Sequence, residues 1–126
     1  MEKKKTILII EDEKNIRESI VDVLRLNGFV TLEASNGQEG VDLALAKQPD
    51  LILLDLLMPV MDGMTAFKKI REDKWGKDVP VIILTNVSAT EENLVKDMVE
   101  YKPEYYLVKS DWKIHDVVDK IKKMLE

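Results

Sequence analysis

The chain has 126 residues, 45% of them hydrophobic and none cysteine; this suits one globular domain over residues 1–126 and excludes disulfides, thiolate metal sites and cysteine nucleophiles. A formal charge of −5, from 19 Lys and Arg against 24 Asp and Glu, argues against a general nucleic-acid binder held by phosphate contacts. The charged start, Met1-Glu-Lys-Lys-Lys, reads as a solvated terminus and leads into an apolar run too short for a signal-peptide core or a membrane span, so no membrane attachment and a cytoplasmic location are expected.

Thr6 to Ile10 is a short apolar run closed by acidic residues and reads as a strand buried on both faces. Ile16, Ile20, Val23, Leu24 and Asn27 then recur at three- and four-residue steps, predicting a helix that stops at Gly28. Phe29 to Glu33 reads as a second strand. Asn36 with Glu39 makes a capping-box-like start for a second helix carrying Val41, Ala44 and Leu45 inward, ended by Pro49 and Asp50. Leu51 to Leu54 is the most apolar strand candidate and runs directly into Asp55. Pro59 and Asp62-Gly63 mark a turn before a third helix with Met64, Phe67 and Ile70 inward. Val79 to Leu84 predicts a fourth strand, with Pro80 tolerable near its beginning and Thr85 following it. A fourth helix is expected to start near Ser88 or Thr90 and to face the core with Leu94, Val95, Met98 and Val99. Pro103 breaks the chain before a fifth strand at Tyr105 to Val108, closed by Lys109. Ile114, Val117, Val118, Ile121 and Leu125 line a last helix.

Five strands alternating with five helices imply an α/β fold, a parallel sheet wrapped on both faces by helices. Open sheets of this kind bind ligands outside the carboxyl ends of their strands. Glu11 and Asp12 follow the first strand, Asp55 the third, Thr85 the fourth and Lys109 the fifth, so one rim is expected to carry all five. Three carboxylates brought close together repel one another unless a cation sits among them. An all-oxygen set without His or Cys favours a hard ion, and Mg²⁺ takes a few carboxylates plus waters and phosphate oxygens. Beside such an ion a carboxylate such as Asp55 can attack a phosphoryl group, with Lys109 offering a point charge and Thr85 a hydroxyl to the phosphate oxygens. Charged residues also gather at strand ends simply because loops are solvated. Thr85 or Lys109 alone carries little weight; the ordered set across four strand ends carries the reading.

The stretches Ile-Leu-Ile-Ile-Glu-Asp-Glu (7–13), Leu-Ile-Leu-Leu-Asp-Leu-Leu-Met-Pro-Val-Met-Asp-Gly (51–63), Pro-Val-Ile-Ile-Leu-Thr (80–85) and Tyr-Tyr-Leu-Val-Lys (105–109) resemble the receiver domain of two-component response regulators. The resemblance runs from Thr6 to the end of the last helix. It implies a flavodoxin-like (βα)5 three-layer sandwich with strand order 2-1-3-4-5, a topology for which a chemotaxis receiver is a standard example. It also implies a single receiver domain with no output domain, acting as a phosphorylation switch rather than as an enzyme, with catalysis confined to its own phosphotransfer and dephosphorylation. By motif position, Asp55 resembles the phosphoacceptor, Glu11 and Asp12 the acidic pair that holds Mg²⁺, and Leu57 the residue whose backbone carbonyl joins the metal. Lys109 matches the lysine that pairs with the acceptor, Thr85 the hydroxyl that bonds a phosphoryl oxygen, and Tyr106 the rotating aromatic. The implied partners are a sensor histidine kinase or phosphotransfer protein and a downstream protein target. The implied output is a reshaped surface on the fourth helix, fifth strand and fifth helix, through which many relatives also form homodimers.

Several positions depart from the family pattern. Ser110 follows Lys109 where a proline, often cis, is usual, and a cis bond before a non-proline costs about 2.5–4 kcal/mol, so a trans or reshaped loop is expected. Asn86 replaces a small residue after Thr85. Leu57 and Val87, two beyond Asp55 and Thr85, are apolar and predict slow loss of the phosphoryl group to water. Lys102-Pro103-Glu104 stands where a Gly-containing turn is common. Trp112 reads as a partly buried anchor, Trp75 as a loop cover and His115 as a surface residue. A haloacid-dehalogenase-type phosphatase needs a second aspartate where Leu57 stands. A flavodoxin-like electron carrier needs a Ser-, Thr- or Gly-rich loop where Glu11-Asp12-Glu13 would repel a flavin phosphate.

Overall fold

A computed structural model describes residues 3–58, 60–87 and 92–126. Five strands, β1 (Thr6–Ile10), β2 (Val30–Ala34), β3 (Leu51–Leu54), β4 (Val81–Thr85) and β5 (Tyr105–Val108), alternate with α1 (Lys14–Leu26), α2 (Gly37–Lys47), α3 (Gly63–Glu72), α4 (Glu92–Tyr101) and α5 (Ile114–Met124). The sheet order is β2-β1-β3-β4-β5 and every neighbouring pair is parallel. Pro59 and the expected helix start at Ser88 or Thr90 lie outside the described residues.

Successive side chains of a strand point to opposite faces, and the apolar strands use both. Leu8, Ile10, Ile52, Leu54, Val81 and Ile83 pack on one side with Val41 and Ala44 of α2, Phe67 and Ile70 of α3, and Leu94 of α4. Ile7, Ile9, Leu51, Leu53, Ile82 and Leu84 pack on the other with Ile20, Val21 and Leu24 of α1 and Val117, Val118 and Ile121 of α5. Burying each such side chain contributes about 1.5–3 kcal/mol, so the apolar sheet is the main source of stability and a rigid platform for whatever leaves its edge.

Helix ends obey local chemistry. At the end of α1 the Gly28 amide bonds the Arg25 carbonyl at 3.0 Å and the Phe29 amide the Leu24 carbonyl at 3.1 Å, with Gly28 at φ +87°. That is a Schellman stop, which requires a positive φ. The Asn36 side chain accepts the Glu39 amide at 2.9 Å, as the capping pattern predicts, and the Asp62 side chain accepts the Thr65 amide at 2.9 Å.

Three residues expected to face inward do not. Leu45, Val95 and Val99 are exposed by 39%, 45% and 70%. Each of these three lies outside the narrow stripe that reaches the sheet. On α2 that stripe is Gly37, Gly40, Val41 and Ala44, because a Cβ at Gly40 would stand 2.5 Å from Ile10 Cδ1 and the helix therefore lies close on β1. Asn27 caps α1 from outside, its side-chain amide donating to the Val23 carbonyl at 2.8 Å. The second strand is shifted one residue, to Val30–Ala34, because Phe29 completes the helix stop. Trp75 and Trp112 pack partly buried against the two cores, and His115 is exposed, as expected. Among the described residues no helix is long and apolar enough to cross a membrane.

Candidate functional site

All strands run the same way, so their carboxyl ends share one rim. Among the described residues the buried polar or charged side chains are Glu11, Asp55 and Thr85, exposed by 3%, 6% and 0%. All three belong to that rim. Such burial is costly unless the groups are paired, and for the two carboxylates the pairing comes from Lys109. Its Nζ bonds Glu11 Oε1 and, at 3.0 Å, Asp55 Oδ2. Asp12, half-buried, completes a trio: Glu11, Asp12 and Asp55 each offer a carboxylate oxygen, and these oxygens lie within 4.8 Å of one another.

The backbone sets these positions. The Asp55 amide bonds the Ile10 carbonyl at 3.0 Å, extending the β1–β3 ladder past the strand ends and placing Asp55 beside Glu11. The Leu57 amide donates to Asp55 Oδ1 at 3.3 Å, which orients the carboxylate. Gly63 packs on this turn so closely that a Cβ there would lie 1.9 Å from the Asp55 carbonyl oxygen, while its amide bonds the Leu56 carbonyl at 2.9 Å. Lys109 opens a 3-10 turn, Lys109–Asp111, entirely in trans peptides, the form expected with Ser110 in place of proline. Lys102 takes a left-handed φ of +51°, so it does the work of the missing glycine turn before β5. Thr85 ends β4, its hydroxyl accepting the Val87 amide at 3.4 Å, and the Tyr106 hydroxyl donates to the Val87 carbonyl at 2.7 Å. Val87 thus links Thr85 to Tyr106.

The electrostatics reflect an excess of negative charge over the single lysine. Burial raises the Glu11 carboxyl from 4.5 to about 7, and the Asp55 charge adds to this, against the lowering effect of Lys109. Burial alone would lower the Lys109 pKa, but its hydrogen bonds to Glu11 and Asp55 and their charges outweigh that and hold it above the usual lysine value. The ammonium form is therefore secured.

Every site residue expected from the sequence except Leu57 has its side chain at or next to this rim; Leu57 contributes backbone there and leaves its side chain 60% exposed. Sequence reasoning missed Arg17. Its Nη1 donates to the Glu11 carbonyl at 2.8 Å and its Nε pairs with Glu33 at 3.3 Å. A single arginine on an amphipathic helix carries no signal of such a contact.

The family profile described as "Response regulator receiver domain" matches residues 7–122. The chain belongs to that family. As a receiver domain it is 36% identical over 105 residues to "Phosphate regulon transcriptional regulatory protein PhoB" of Pseudomonas aeruginosa, covering 83% of this chain and 45% of that protein. It is 38% identical over 105 residues to "Transcriptional regulatory protein YdfI" of Bacillus subtilis, covering 82% of this chain and 47% of the relative. The receiver thus spans about half the length of these curated relatives. Among solved structures, a CheY-like response regulator receiver domain protein from Methanospirillum hungatei has a TM-score of 0.87 at 23% identity, covering 98% of this chain and 94% of that one, a likeness of fold. A putative response regulator from Chloroflexus aurantiacus has a TM-score of 0.82 at 28% identity over 98% of both chains. Receiver domains are the phosphoacceptor switches of two-component systems, and the observed fold is their flavodoxin-like sandwich. The donor set of this receiver fits the Mg²⁺ general to the family: three carboxylates in mutual reach, no nitrogen or sulfur ligand, and a buried glutamate whose charged form calls for a cation.

Proposed function

We propose that this receiver domain takes a phosphoryl group on Asp55 from the phosphohistidine of a sensor histidine kinase or phosphotransfer protein. The observation that carries the reading is the buried Asp55 carboxylate held at 3.0 Å by Lys109, with Thr85 closing the same rim. An Asp55 carboxylate oxygen attacks phosphorus, the phosphorus–nitrogen bond of the donor breaks, and the donor imidazole keeps the electron pair and takes a proton. Lys109 orients the carboxylate before transfer and afterwards faces the phosphoryl oxygens as a fixed positive charge. The Thr85 hydroxyl donates to one of those oxygens. Glu11 and Asp12, with Asp55 and the Leu57 carbonyl, would hold Mg²⁺, which supplies charge neutralisation for the incoming phosphoryl group.

The drawing of Thr85 toward the phosphate pulls on Val87, which Tyr106 also holds, so the segment after β4 and the β5 aromatic move together. This biases a two-state element that already exists. The surface reshaped is α4, β5 and α5, where Val95, Val99 and Tyr105 are exposed. That face meets a downstream protein target or a second copy of the chain, without direct nucleic-acid contact. Catalysis is confined to the domain's own phosphorylation and slow dephosphorylation. Intact mass after incubation with acetyl phosphate and Mg²⁺ tests the reading. One phosphoryl adduct is expected, dependent on Mg²⁺ and absent from Asp55→Asn; an adduct that survives in the variant overturns Asp55 as acceptor.

A further inference from the structure

The geometry points to Arg17 as a positioning residue for the acidic pair, holding the peptide between Glu11 and Asp12 so that Asp12 is aimed at the divalent cation. This rests on the reading of Glu11, Asp12 and Asp55 as the Mg²⁺ site.

The β1–α1 loop has few ties. The Glu11 amide bonds the Ala34 carbonyl at 3.0 Å, continuing the β1–β2 ladder, and the Glu13 amide reaches Glu11 Oε2 at 3.3 Å. The peptide that joins Glu11 to Asp12 is held through its carbonyl by Arg17 Nη1 at 2.8 Å. The plane of that peptide sets the direction in which the Asp12 side chain leaves the backbone. Arg17 is itself immobilised: its side chain is only 16% exposed, it sits in the first turns of α1, and its Nε pairs at 3.3 Å with Glu33, which stands opposite Ile9 in the β1–β2 register. One planar guanidinium thus bridges the loop to the sheet edge, a geometry that a lysine ammonium does not reproduce. A cation near a metal site opposes the metal by Coulomb repulsion, and Glu33 offsets that charge. The net effect is orientation of a metal-holding carboxylate by an outer hydrogen bond, and loss of such a contact typically lowers metal affinity about 10–100-fold.

Mg²⁺ affinity of wild type, Arg17→Ala and Arg17→Lys is measured by calorimetric titration of unphosphorylated protein, with folding checked by circular dichroism in EDTA. The initial rate of acetyl-phosphate labelling is followed over a range of Mg²⁺ concentrations. Arg17→Ala is expected to bind Mg²⁺ about tenfold more weakly. Its labelling rate is expected to fall at low Mg²⁺ and to recover at saturating Mg²⁺, a split that a mere loss of stability does not produce. Arg17→Lys, with charge but no fork, falls between, and it decides the question should Arg17→Ala not fold. A folded variant with wild-type Mg²⁺ affinity overturns the positioning role while leaving the metal site standing. Wild type that binds no Mg²⁺ overturns the metal site itself and the positioning role with it.

Discussion

Val60, five residues after Asp55, has φ at +68° and its side chain is 85% exposed. A β-branched residue in the left-handed region pays about 1–2 kcal/mol in steric strain, and an exposed side chain returns little packing energy. Glycine relieves the strain at an entropic cost of about 0.5–1 kcal/mol, so Val60→Gly is expected to stabilise the domain by up to about 1 kcal/mol, raising the thermal midpoint by about 4 °C. A midpoint that falls would show that Val60 is not strained in solution. Leu57 makes a different prediction: its exposed side chain next to Asp55, with Val87 across the rim, offers an attacking water no hydrogen-bond partner. Leu57→Asn is expected to shorten the lifetime of phosphorylated Asp55 severalfold, followed by intact mass after removal of acetyl phosphate. A wild-type half-life of seconds would count against the apolar shield.

At the level of elements, the turn from β3 into α3 is held by a contact only glycine permits. A Cβ at Gly63 meets the Asp55 carbonyl oxygen at 1.9 Å, and the atoms in the way are backbone. Gly63→Ala is expected to cost about 3 kcal/mol, read from the urea midpoint, and to displace Asp55 enough to slow acetyl-phosphate labelling. Gly28→Ala is the contrast. Nothing lies within 4 Å of a Cβ there, so only the φ of +87° is strained. A cost of about 1–2 kcal/mol with unchanged labelling is expected. Equal labelling defects in the two variants would show that Gly63 acts through general stability. The α3–α4 pairing is also fixed at one end. Arg71 donates to the carbonyls of Tyr101 at 2.9 Å, Gly76 at 2.8 Å and Val79 at 2.6 Å, and its guanidinium stands 5.0 Å from the Phe67 ring centre. These bonds tie the carboxyl end of α4 to the loop before β4.

Across the whole molecule, the buried rim ties stability to pH. The Glu11 carboxyl titrates at about 7 when folded and at 4.5 in its ordinary state. A raised folded value means that its contribution is fully present below pH 4.5 and is lost as pH rises to about 7. Lys109, also raised, contributes fully below its ordinary 10.5 and has no part in this window. Urea unfolding without divalent ions is expected to show stability falling between those pH values, a fall missing from Glu11→Gln. Millimolar Mg²⁺ at neutral pH is expected to restore part of it, since a ligand that binds only the folded state stabilises it. An identical pH dependence in wild type and Glu11→Gln would remove Glu11 as the cause.

The alternation of strands and helices, the stops at Gly28 and Pro49, the Asn36 cap and the rim positions of Glu11, Asp55, Thr85 and Lys109 were all legible from residue order. These are local matters of side-chain period, turn chemistry and the residue types that close a strand. The strand order itself entered only through the likeness to receiver domains, because periodicity is blind to which strands are neighbours. Tertiary structure alone decided the rest. Lys109 meets Glu11 across 98 residues of chain, Arg17 reaches the Glu11 carbonyl, and Val95 and Val99 stay exposed although their helix looked apolar there. Each of these depends on how closely one element approaches another, a distance set by packing of the whole core and written in no single stretch of sequence.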